Sequence, residues 1–141
     1  MNTAPPKRLL GALVFDIGTV AAAASGVVVQ KNNRAQPFIV TGIGLVNQSG
    51  ANSHPNYSVQ VRDDGTGQDW FSNPLPAGAL GVHETSGIIA GDQASSLRDP
   101  WPLPAPFEVK AGNQLRVTVT NNSASVTSNV EVVLFGFYQG V

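Results

Sequence analysis

The sequence predicts an all-β protein of one domain, an antiparallel sandwich or barrel of about eight short strands with no substantial helix. Three observations carry this expectation. Apolar residues recur with a period of two, as in Tyr57, Val59, Val61 and in Leu115, Val117, Val119, against polar neighbours. Gly (15) and Pro (10) punctuate the 141 residues too often for a long helical pattern. Apolar residues make up 42% of the chain, enough to supply a core, and no internal repeat or domain boundary divides them.

The elements follow in order. Leu9 to Ile17 alternates Leu9, Gly11, Leu13, Phe15 and Ile17 against Leu10, Ala12, Val14 and Asp16, and reads as a strand. Ala21 to Ala24 has helix propensity but is too short to stand alone. Val27 to Lys31 is a second strand. Phe38 to Val46 is a third, in which Gly42 and Gly44 predict a bulge or a close backbone approach. Tyr57 to Arg62 is a fourth, with Tyr57, Val59 and Val61 inward. Asp63-Asp64-Gly65-Thr66-Gly67 is a turn, and Asp69 to Ser72 starts another strand. Residues 73–96 read as irregular, with a brief strand at Gly87 to Ala90. Pro100, Pro102, Pro104 and Pro106 lack the ladder donor, which confines this stretch to an extended segment or a sheet edge. Gln114 to Thr120 is a clean half-buried strand. Val130 to Tyr138 is apolar on both faces, so it belongs in the middle of a sheet, covered on both sides or by another chain.

Composition excludes several functions. Charged residues are only 12% of the chain and the net charge is −1, which disfavours phosphate-backbone binding and nucleic-acid partners. Without Cys there is no disulfide, thiol nucleophile or thiolate metal site. The N-terminal stretch has a basic pair, Lys7-Arg8, then an apolar run and Ala21 to Ala24, as a secretory signal does. Asp16 interrupts it after seven apolar residues, and also argues against a membrane span.

Candidate chemistry is sparse. His54 and His83, with Glu84, invite a two-His-one-carboxylate site, but no close-spaced His pair exists. Asp63, Asp64 and Asp69 do not have the spacing of a calcium loop, and a tight turn explains them better. No nucleophile elbow, dinucleotide fingerprint or phosphate loop is present. The expectation is therefore no enzymatic activity, no catalytic or metal-binding residues and no cofactor. Trp70, Phe71, Trp101, Phe107 and Tyr57 are candidates for an aromatic sugar platform, with core packing or an interface as the commoner fate. Asn47-Gln48-Ser49, Asn56-Tyr57-Ser58 and Asn121-Asn122-Ser123 match the glycosylation pattern, which matters only in a eukaryotic secretory setting. Residues 1–36 carry Lys7, Arg8, Lys31 and Arg34 against Asp16 alone, while the remainder is net acidic. Residues 1–8 are thus a candidate basic arm on a single domain spanning 1–141.

One stretch adds a resemblance. Trp101-Pro102-Leu103-Pro104-Ala105-Pro106-Phe107, the run Glu108 to Asn121 with its Lys110-Ala111-Gly112 turn, and the closing strand Val130 to Tyr138 with Gly136-Phe137-Tyr138 are similar to small jelly-roll capsid decoration (cement) proteins of tailed bacteriophages. The likeness covers residues 37–141. It implies a two-sheet jelly roll, often dimeric, on the outside of an icosahedral shell, where it bridges neighbouring major capsid proteins without chemistry. The expected partners are then the major capsid protein and a second copy, with no nucleic acid and no membrane, and the location is the capsid surface of a virion. From chemistry and expected exposure, Lys7, Arg8, Arg34 and Trp101 are the candidate partner contacts. The alternatives are a carbohydrate-binding sandwich, secreted or tail-associated, or another non-enzymatic virion component.

Overall fold

The computed structural model describes residues 8–47, 57–76, 101–125 and 127–140. These form nine strands: β1 (Arg8–Val20), β2 (Ser25–Lys31), β3 (Phe38–Asn47), β4 (Tyr57–Asp63), β5 (Gln68–Asp69), β6 (Leu75–Pro76), β7 (Trp101–Val109), β8 (Gln114–Asn121) and β9 (Ser128–Gln139). One sheet has the order β1-β9-β3-β7; the other has β2-β8-β4-β5, with β6 also paired to β4. All pairings are antiparallel. Most connections switch sheets, and each sheet interleaves early and late strands, which is the strand order of a jelly roll. The eighth position is split between β5 and β6, two residues each, so nine strands stand where about eight are expected. No helix occurs among the described residues, and hence none long and apolar enough to cross a membrane.

The period-two pattern builds the core. Phe15, Val40, Ile43, Leu45, Val132 and Leu134 of the first sheet meet Val59, Val61, Leu115, Val117 and Val119 of the second, all fully buried. Each such side chain contributes about 1.5–3 kcal/mol of burial. β9 lies between β1 and β3, the central place its two apolar faces predict. Among the described residues β7 pairs only with β3, so its prolines stand on an edge, as their missing donors require.

Glycines set two close approaches. The β3 register shifts between Val40 and Gly42, the bulge that Gly42 anticipates. There the Ile39 carbonyl and the Val40 Cα occupy the space that a Cβ on Gly136 would need. Gly11 leaves similar room for the ring of Tyr138.

Two buried asparagines tie the sheets together at opposite ends. The Asn32 amide donates to the carbonyls of Gln36 (2.9 Å) and Val109 (3.1 Å), and its Oδ1 accepts from the Arg34 N–H (3.1 Å). The Asn121 amide donates to the Val20 carbonyl (3.1 Å), and its Oδ1 accepts from the Ser123 N–H (3.0 Å). Asn121 is therefore a buried clamp and does not present its amide for glycosylation.

Some elements differ from expectation. β1 runs three residues past Ile17, to Val20, bulging between Asp16 and Gly18. Residues 21–24 are a turn, with Ala23 at φ 55. The strand expected over Asp69 to Ser72 stops at Asp69, because Trp70 and Phe71 pack sideways onto the flank. Gly87 to Ala90 lies outside the described residues.

Candidate functional site

The outer faces of the two sheets differ in chemistry. On the β2-β8-β4 sheet, β4 and β8 turn Ser58, Gln60, Arg62, Arg116, Thr118 and Thr120 outward, an ordinary solvated face. Arg62 and Arg116 both lie against Asp64 there, at 3.8 and 3.2 Å. On the other sheet, the register places Leu10, Ala12 and Val14 of β1 beside Phe137, Phe135 and Val133 of β9, with Ile39 of β3 beyond Phe137. Leu10 is 82% exposed and Val14 45%, Phe135 and Phe137 are half-buried, and Val133 is buried yet outside the core cluster. Arg8 bounds this face at one end and Asp16 at the other.

The candidate partner contacts separate in space. Arg8 is the first residue of β1 and not part of an arm; its guanidinium lies 4.5 Å over the Phe137 ring. Arg34, in the β2–β3 loop, lies 4.8 Å over the Tyr138 ring. Two cations thus cap consecutive rings of β9 at one end of the sandwich, a favourable cation–π arrangement. Trp101 pairs with Ile43, five positions along β3 from Phe38, so its backbone stands away from that end. Lys7 lies outside the described residues, as do His54, His83 and Glu84.

A second feature sits on the β7 flank. Trp70 stacks on Phe107 with ring centroids 4.3 Å apart and planes 3° from parallel, and Phe71 meets Phe107 edge-on at 6.4 Å. Gln60 holds this segment: its amide donates to the Phe71 carbonyl (2.8 Å) and accepts the Phe71 N–H (3.3 Å). A cleft of about 360 Å³ opens beside the stack, lined also by Leu75, Pro104, Ser72 and Asn73. That volume is at the low end for a small-ligand site. Of the five aromatics read from the sequence, Trp70, Phe71 and Phe107 come together, whereas Tyr57 is buried in the core.

The three aspartates serve the turn. Asp63 Oδ1 accepts the Gly65 N–H at 2.8 Å and the Thr66 N–H at 3.3 Å. Asp64 receives Arg116 and Gln114, whose hydrogen bonds hold its carboxyl below the ordinary value of 3.8. Asp69 faces Arg62 at 3.5 Å. Among the described residues no group of three or more His, Cys, Asp or Glu is placed to hold a metal ion. Sequence reasoning missed Asn32 and Gln60, because buried and exposed amides share the same local pattern.

The fold defines a class, the jelly-roll β-sandwich, and comparison with solved structures goes no further. No family model matches the chain, and no curated protein matches it. A serine protease of Aeromonas sobria is similar over 98% of this chain, which spans 28% of the protease, at 10% identity and a TM-score of 0.46. The nucleoplasmin-like N-terminal domain of Drosophila FKBP39 is similar over 95% of this chain and 91% of that domain, at 9% identity and a TM-score of 0.40. An exo-β-1,3-galactanase from Phanerochaete chrysosporium aligns over 91% of this chain and 27% of its own, at 12% identity and a TM-score of 0.31. Likeness at this level carries no functional argument.

Proposed function

We propose that this chain is a structural virion component: a capsid decoration or cement protein that binds the outside of an icosahedral shell and stabilises contacts between major capsid proteins. The observation that supports this reading most is the apolar outer face of the β1-β9-β3 sheet. A solvated sheet face carries polar side chains, as the opposite sheet does; Leu10, Val14 and Phe135 are instead suited to cover by a partner. The role is mechanical. A stable contact buries about 1,200–2,000 Å² in total, and repetition around a shell adds avidity. We assign no catalytic residue, metal or cofactor to it. Imaging purified particles with and without the protein tests the reading. Density on the shell surface in hundreds of copies, and shells that resist heat and low salt only when it is present, is the expected result. Equal resistance without it and no surface density would sink the reading.

The aromatic cleft favours a second reading, a carbohydrate-binding module in which the Trp70–Phe107 stack forms one wall of a sugar site. Titrating the isolated protein with oligosaccharides while following Trp fluorescence separates the two. A saturable change abolished by Phe107→Ala, which leaves both tryptophans in place, supports the module; a flat titration rejects it.

A further inference from the structure

The four edge strands are unequal. β7 carries Pro102, Pro104 and Pro106, and β5 and β6 have two residues each, so one flank is blunted against pairing. On the other flank β1 has thirteen residues and no proline, and among the described residues it pairs only with β9. Among the described residues, the five exposed large apolar ones, Leu9, Leu10, Val14, Val27 and Val29, all lie on β1 and β2, the two edges of this flank. A long, proline-free edge of this kind is a template for another strand.

The sequence of β1 specifies which strand fits. From Arg8 to the bulge after Asp16, every second residue shares the outer face: Arg8, Leu10, Ala12, Val14, Asp16. That series is complementary to its own reverse. Laid antiparallel about a two-fold axis at Ala12, Arg8 stands opposite Asp16 of the second copy, Leu10 opposite Val14, and Ala12 opposite Ala12. Opposite charges and apolar pairs directly across a ladder stabilise it, whereas a slip by two residues unmatches both charges. Among the described residues neither Arg8 nor Asp16 makes an ion pair; Arg8 lies on the Phe137 ring and Asp16 accepts the Gly18 N–H at 3.2 Å.

We infer that two copies of this chain join through β1, antiparallel in the register that pairs Arg8 with Asp16, to give one continuous eight-stranded sheet across the dimer. The outer face of that sheet unites both apolar patches on one side. The inference names the self-contact within the assembly role proposed above and rests on that role.

Sedimentation of the full chain, with charge reversal at both positions, tests it. The wild type is expected to dimerise at micromolar concentration. Arg8→Asp and Asp16→Arg are each expected to weaken the dimer at least ten-fold, and the double variant to restore it, with thermal unfolding confirming that all are folded. Because the chain has no cysteine, Ala12→Cys supplies a single thiol. Residues directly opposite in an antiparallel pair have Cα atoms about 4.5–5.5 Å apart, within disulfide reach. Mild oxidation is therefore expected to link two Ala12→Cys chains and to leave Thr19→Cys chains unlinked. A monomer at 100 µM, as results if part of the chain itself covers the edge, overturns the inference. A dimer that ignores both the charge swap and the Ala12→Cys probe overturns it too. A monomer that still binds shells rejects only this contact; a β1 dimer that binds no shell rejects only the capsid role.

Discussion

Asn32 is almost fully buried where β2 leaves one sheet and the β7–β8 turn joins the other, and its side chain bonds across that gap. Removing it strands the buried Val109 carbonyl, at about 1–3 kcal/mol, and loses two part-buried bonds, to the Gln36 carbonyl and from the Arg34 N–H, at about 0.5–1.5 kcal/mol each. Asn32→Ala should therefore cost about 2–4 kcal/mol by chemical denaturation, while Asn33→Ala, at an exposed neighbour, should stay within about 0.5 kcal/mol. Gly136 is constrained by space: a methyl there meets the Ile39 carbonyl and the Val40 Cα, backbone atoms of β3 just before its bulge. Overpacking of this kind costs about 1–3 kcal/mol or more, so a Gly136→Ala variant should show a lowered denaturation midpoint. Asp64 gives a pH signature. Its folded carboxyl titrates below 3.8 because Arg116 and Gln114 favour the charged form. The stabilisation is thus present above the unfolded value and lost as pH falls through the folded one. The melting-temperature gap between wild type and Asp64→Asn should be constant near neutrality and shrink below pH 4.

At the scale of elements, β9 carries the contrast that matters. Its inward residues Val130, Val132 and Leu134 fill the core, while Val133, Phe135 and Phe137 face the opposite way. Leu134→Ala should destabilise by about 2–5 kcal/mol. Leu10→Ser, on the neighbouring outer face, should leave the unfolding midpoint within about 0.5 kcal/mol of wild type and change only association. The strands β4 and β8 are legible in sequence because period-two burial is a local pattern that survives tertiary context, and β9 because a run apolar on both faces marks a central strand. The edge position of β7 was legible for a different local reason, the absent proline donors. β5 and β6 were not, since two paired residues leave no periodic trace. The cleft was half legible. Trp70, Phe71 and Phe107 announce aromatic packing, but Phe107 lies thirty-six positions after Phe71, and only the pairing of sheets shows that they meet. The split between a polar and an apolar outer face was visible in Val130 to Tyr138 alone; which strands share that face required the register.

For the whole molecule, the strand order governs folding as well as shape. The first strand pairs with the last, and most connections cross between sheets, so few contacts are local. Refolding followed by Trp fluorescence should accordingly take milliseconds to seconds, slower than a helical bundle of this size, and a chain truncated before β9 should not fold, having lost the strand between β1 and β3. The same pairing has a practical side. Arg8 lies directly across from Gln139, so the start of β1 and the end of β9 are a single strand spacing apart, about 5 Å. A few glycines can bridge them, and the exposed Gly65-Thr66-Gly67 turn offers a place to open the chain. A circular permutant cut there keeps every strand neighbour. It would move the chain ends to the opposite sheet, leaving the apolar face and the β1 edge unencumbered for fusion of a display cargo.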